Sequence, residues 1–160
     1  MRFWIYKCNN RPNGRGTSGD WLAEVFSSAE PVVWPGHSGS GAAEVHQALD
    51  ERMSIGDVVV AFQTNRRAIM GMCRVTGVVG DPGAIDLVLE PIHCFGEPFR
   101  VHEARAGTSL ERCAALIGRV TLRELSRDEM VTLIDLSGAP KRVLRGRAAA
   151  GGYVAVPADR

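Results

Sequence analysis

Long hydrophobic runs are missing from this 160-residue chain. No stretch approaches the roughly 20 consecutive apolar residues of a membrane-spanning helix, so no membrane segment or membrane partner is expected. Charge of one sign is missing as well: 19 Lys and Arg stand against 18 Asp and Glu, a formal net charge of +1. That balance excludes a protein whose affinity rests on coating itself with positive charge, and it confines any nucleic-acid role to a local site. Cysteine is sparse and scattered. Cys8, Cys73, Cys94 and Cys113 form no Cys-x-x-Cys pair, and the opening Met-Arg-Phe-Trp carries no apolar leader, so reduced thiols and a cytoplasmic location are the expectation. No Gly-x-Gly-x-x-Gly and no Gly-Lys-Ser/Thr follows a strand and opens a helix, which excludes a Rossmann or phosphate-loop fold. His37, His46, His93 and His102 lack the spacing that puts two nitrogens on one metal, and Cys94 would project from the strand face opposite His93. Neither a metal nor a cofactor is implied.

What is present is enough for one domain. A chain of this length buries roughly 70% of the surface its unfolded form exposes, so it can hold a core without staples. Phe3 to Cys8 reads as a strand with Phe3, Ile5 and Lys7 on one face and Trp4, Tyr6 and Cys8 on the other. Asn9 to Gly14 is a loop, Asp20 caps a short helix from Trp21 to about Phe26, and Pro31 to Trp34 is a brief extended piece. Residues 35–41 form a Gly/Ser loop. Val45, Leu49 and Met53 recur every four residues, predicting an amphipathic helix over 42–53. Residues 57–62 and 69–79 form a hairpin through Thr64 to Arg67, and a third strand runs from Ile85 to about Ile92. Gly96 and Pro98 end it, and Phe99 to His102 is a short extended piece. Thr108 with Glu111, and Ser126 with Glu129, are capping boxes for two helices, the second ending before Gly138. Val120 to Leu122 is a possible strand between them. Consecutive hairpins flanked by short helices argue for an α+β domain on a small, mostly antiparallel barrel, over residues 1–138. Residues 139–160 form a basic C-terminal tail, loosely ordered or returning a strand at 153–156.

Chemistry concentrates near the N-terminus. Aromatics make up only 6% of the chain, yet Trp4, Trp21 and Trp34 all fall in its first 34 residues. Trp4 lies on a strand and suits the core, whereas Trp21 and Trp34 flank loops, where indoles suit either core packing or stacking on a flat ligand. The Gly/Ser run 36–41 is either a flexible connection or a set of backbone amides for an anion. Cys8 and His37 could pair as nucleophile and base, or Cys8 could be buried and inert.

Several motifs stand in a particular order: the aromatic first strand ending in Lys7-Cys8-Asn9; Gly19-Asp20-Trp21; Trp34-Pro35-Gly36; Gly56-Asp57 leading through Gln63 to Thr64; Ile69 to Val75; and Leu122 to Ser126 before a helix. Together they resemble an EVE domain, a family of the PUA-like superfamily alongside YTH and ASCH domains, over roughly residues 2–137. The resemblance implies a PUA-like barrel with flanking helices and a pocket for one modified nucleobase, modified cytosine in DNA or a modified RNA base. By position, Trp34 and Trp21 would be the walls that sandwich a flipped base. Lys7, Cys8 and Asn9 would line the pocket from the end of the first strand, Gln63 and Thr64 would reach the base edge, and His37 and Ser38 would border the mouth. A third wall is not identified: Phe95 or Phe99, after the third strand, could supply it, though core packing is the better-suited role for each. Many EVE domains follow this tryptophan with Gly-Val-Arg-Asn one residue on, where this chain has Pro35-Gly-His-Ser-Gly-Ser40.

Reading a modified base requires taking it out of its stack and offering aromatic faces in exchange. For the phosphate backbone, Arg66 and Arg67 in the hairpin turn and Arg11 and Arg15 in the first loop are the candidates, with the cluster Lys141 to Arg147 as an added arm. The function expected is therefore binding of nucleic acid carrying a modified base, without catalysis. The alternative is an ASCH-like small hydrolase or nuclease acting on a modified nucleoside or RNA, with Lys7, Cys8, His37 and Glu44 around a cleft.

Overall fold

The computed structural model describes residues 1–10, 19–34, 51–81, 85–118 and 120–145. Six strands form one sheet: β1 (Phe3–Cys8), β2 (Val32–Trp34), β3 (Val58–Gln63), β4 (Ala68–Val79), β5 (Asp86–Phe99) and β6 (Leu122–Leu125). Their order is β2-β5-β4-β3-β1-β6, with β1 and β3 parallel and every other neighbouring pair antiparallel. All six residues of β3 are buried, as a run of Val without polar alternation requires of a strand covered on both faces.

The two faces of β1 carry separate cores. Trp4, Tyr6 and Cys8 pack with Val59, Ala61 and Met70 beneath a single wide helical turn, Leu22–Phe26. Phe3 and Ile5 pack with Val58, Val60 and Met72 beneath α1 (Val101–Ala104), α2 (Ala114–Ile117) and α3 (Arg127–Ser137). The period-2 reading of the first strand thus describes both cores.

The barrel does not close: among the described residues no ladder joins β2 to β6. The sheet nevertheless curls. Laid flat, β2 and β1 would stand four strand spacings apart, roughly 19 Å, yet the rings of Trp34 and Tyr6 have centroids 6.4 Å apart. Curling wraps the first core and carries an edge-strand tryptophan to the far strand.

Other differences from the sequence reading are local. β5 continues through Gly96 and Pro98 to Phe99, because the ladder steps from Gly71↔Cys94 to Ile69↔Phe99 and leaves the intervening residues in a bulge, where a missing N–H costs nothing. The Thr108–Glu111 box does not start a helix. Thr108 Oγ1 accepts from Leu110 N (3.2 Å) and Glu111 Oε2 from Gly107 N (3.2 Å), closing turns instead, and α2 begins only at Ala114. The Ser126–Glu129 box forms as read, with Ser126 Oγ accepting from Glu129 N (3.2 Å) and Glu129 Oε2 from Ser126 N (2.7 Å). Residues 42–50 of the expected helix and residues 146–160 lie outside the described residues, while Ala139 and Val143 are buried in the second core. No helix among the described residues is long and apolar enough to cross a membrane.

Candidate functional site

Trp21 and Trp34 meet on the first face. Asp20 Oδ1 accepts from Leu22 N (3.0 Å) and Ala23 N (3.2 Å), capping the wide turn so that Trp21 points into the core. Trp34 is the last residue of β2, which among the described residues is an edge strand paired with β5. The indoles stack with centroids 4.1 Å apart and planes 10° from parallel, and Tyr6 closes the cluster edge-on at 5.7 Å from Trp21. Both indoles are 0% exposed, and neither N–H finds an acceptor among the described residues. A buried donor left unpaired costs about 1–3 kcal/mol.

This geometry corrects the expected sandwich. A base held between two rings needs them roughly 7 Å apart, two aromatic thicknesses, and here one indole already occupies the place of the base. The third aromatic is Tyr6; Phe95 and Phe99 pack against the second core, on the other side of the sheet. Tyr6 was legible in the alternation of β1, which puts it on the face of Trp4 and Cys8.

The remaining expected pocket residues divide by face and by occupation. Lys7 lies on the opposite face from the indoles. Its Nζ donates to the carbonyls of Gly118 (2.5 Å) and Leu116 (3.4 Å) at the end of α2, and burial holds the ammonium below its ordinary value. Cys8 faces the indoles but lies 3.3 Å from Gly19 O, and burial, then Asp20 and Glu24, push its thiol far up, so it is no thiolate nucleophile. Gln63 is 0% exposed and its amide is spent: Oε1 accepts from Trp21 N (3.0 Å), while Nε2 donates to Gly19 O (3.1 Å) and Asn65 Oδ1 (2.8 Å). It holds the loop that presents Trp21. Asn9 is half-buried beside that loop, its carbonyl accepting from Gly19 N (3.2 Å), and Thr64 is exposed with its N–H on Cys8 O (2.8 Å). His37, Ser38, Glu44, Arg11 and Arg15 lie outside the described residues.

Arg66 and Arg67 stand in the β3–β4 turn, where they line an open surface cavity of about 640 Å³ together with Asn65, Glu97 and Arg100. Arg100 is absent from the sequence reading, because only the bulge that ends β5 brings it beside a turn more than thirty residues earlier. Three or more metal-ligating side chains do not cluster anywhere among the described residues.

No protein-family profile matches the chain, and no curated protein matches it in sequence. Solved structures do match. Rpa0253 from Rhodopseudomonas palustris is 17% identical with a TM-score of 0.62, over 86% of this chain and 94% of that one. A hypothetical protein from Leishmania major is 14% identical with a TM-score of 0.64, over 86% and 95%. Human THYN1, solved in complex with DNA containing 5-methylcytosine, is 12% identical with a TM-score of 0.61, over 88% and 99%. At these identities the likeness is one of architecture: this chain has the EVE fold, shared with the DUF55 domain of human thymocyte nuclear protein 1.

Proposed function

We propose that this chain is a non-enzymatic reader of a modified base, in the first place 5-methylcytosine in DNA, and that the base lodges against Trp21 and Trp34 after they part. The observation that carries this reading is the parallel indole pair, buried with N–H donors that find no acceptor among the described residues, at one end of a sheet whose fold is shared with a protein solved on 5-methylcytosine DNA. Both rings are sealed in the interior with no opening between them, against the expectation of an open cavity, so this reading requires the stacked pair to open when the base binds. Trp21 is tied through its backbone to Gln63, whereas Trp34 hangs from a three-residue edge strand, so Trp34 is the ring that moves.

Magnitudes favour the exchange. Parting the indoles forfeits about 0.5–1.5 kcal/mol of specific ring–ring interaction. An inserted base gains about 1–3 kcal/mol from stacking on the aromatics. A methyl group contributes only about 0.8 kcal/mol when buried, so preference depends on a close fit. For the hydrolase or nuclease alternative, Lys7 and Cys8 would have to share a cleft, and they stand on opposite faces of β1.

The test is a titration of the protein with a duplex carrying one 5-methylcytosine and with its unmodified twin, followed by tryptophan fluorescence and repeated with Trp34→Phe, which keeps the core filled. Tighter binding of the methylated duplex, lost in Trp34→Phe at an unchanged unfolding midpoint, is the expected result. Equal binding of the two duplexes by the unaltered protein overturns the reader, and a preference that survives Trp34→Phe overturns this pocket.

A further inference from the structure

The β3–β4 turn collects more positive charge than the even balance of the whole chain predicts. Arg66 and Arg67 share the rim of the 640 Å³ cavity with Arg100, opposed within it by the single carboxylate of Glu97. Among the described residues Arg100 pairs with Glu103 at 3.6 Å, with side chains 67% and 73% exposed, a contact that solvent screens and a ligand can replace. Nearby, burial and then Arg105, Arg67 and Lys7 hold the His102 imidazole below its ordinary value, so positive potential converges on this end of the sheet from three elements. Arg67 occupies the left-handed region at φ 53°, the one non-glycine residue among those described with a positive φ. Glycine would sit there without strain, whereas an arginine held there costs backbone energy.

The cavity is also wired to the aromatic pair. Asn65, on its rim, accepts from Gln63 Nε2 at 2.8 Å, and the other end of the same amide accepts from Trp21 N at 3.0 Å. Two consecutive hydrogen bonds therefore join the basic rim to the residue that would stack the base.

We infer that this cavity seats a backbone phosphate of the same strand whose base enters at Trp21 and Trp34, with Arg66, Arg67 and Arg100 as its cationic wall. The inference rests on the nucleic-acid reading above and adds to it the register of the strand: the phosphate path crosses the β3–β4 turn on its way past the indoles. Guanidinium groups suit the role because their planar forks match phosphate oxygens in pairs. Phosphate contacts position without reading sequence, so this wall contributes affinity and salt dependence but no preference for a methyl group.

The experiment measures the salt dependence of binding for the methylated duplex and its unmodified twin between 50 and 200 mM salt, with the unaltered protein, Arg66→Gln/Arg67→Gln, Arg100→Gln and, as control, Arg52→Gln. Arg52 pairs with Glu124 beside Trp4, at the opposite end of β1. Each lost phosphate contact lowers the log–log slope by about one unit. The expected result is a slope lowered by about one unit in the double variant, which loses the one phosphate, and by less than that in Arg100→Gln, equally on both duplexes, with Arg52→Gln unchanged. A slope that the turn and Arg100 variants leave unaltered overturns the phosphate site, even if methyl preference persists. A slope that falls as expected while both duplexes bind equally supports the phosphate site and removes the base-reading proposal instead. Failure of both duplexes to bind at 50 mM salt overturns the phosphate site.

Discussion

Single residues in this chain trade stability for geometry. Gly19, at φ +154°, has no room for a side chain: a Cβ there would lie 2.7 Å from Trp34 Cη2, so the ring of Trp34 rests directly on the backbone of the loop that presents Trp21. Gly71 has no room either, with a Cβ there 2.3 Å from the backbone carbonyl oxygen of His93 and 2.5 Å from Phe26 Cζ. Arg67 runs the other way, a side chain kept where glycine fits better. Arg67→Gly should therefore be more stable than Arg67→Ala by about 1 kcal/mol in denaturant melts, since only the alanine retains the left-handed strain. Equal melts would mean that the turn relaxes without cost. Trp4, by contrast, is wholly structural: it is 0% exposed, and its Nε1 donates to Asp57 Oδ2 at 3.0 Å.

At the scale of elements, the end of β3 fastens the 19–21 loop. Gln63 satisfies Trp21 N and Gly19 O from inside the core, so Gln63→Ala should leave a buried donor and acceptor unpaired and cost about 2–5 kcal/mol in unfolding free energy. Gln63→Glu restores the acceptor for Trp21 N but turns a second buried acceptor on Gly19 O and Asn65 Oδ1, so it should be no more stable than Gln63→Ala. A cost below about 1 kcal/mol for Gln63→Ala would show that the loop is held by other contacts. The same fastening explains why Gln63 looked like a base-reading residue in sequence: a polar side chain at a strand exit signals either a ligand or a loop, and only its partners distinguish them. Lys7 was ambiguous in the same way. Strand alternation placed it away from Trp4 and Cys8, and the carbonyls at the end of α2 account for its burial.

For the whole molecule, two half-buried imidazoles link folding to pH. His93 is held low by burial and then by Arg142, and His102 by burial and then by its cationic neighbours. Both folded values lie below the unfolded value of 6.5, so the unfolded chain binds more protons in that window. The stability that depends on their neutral forms is present in full above pH 6.5 and is lost as pH falls below it. Denaturant midpoints should therefore drop between pH 7 and pH 5, and His93→Gln should flatten that drop; a drop of the same size in the variant would assign it to other groups. The sequence by itself determined β1 to β4, the split of β1 into two core faces, the Asp20 and Ser126 caps and the α+β class, because period, burial pattern and capping are local properties of consecutive residues. Only the tertiary structure decided that the sheet curls without closing, that Trp34 stacks on Trp21 with no gap, and that Arg100 joins the β3–β4 turn. Each of these depends on how far distant strands twist and bulge before their side chains meet, a sum over the whole sheet that no single segment encodes.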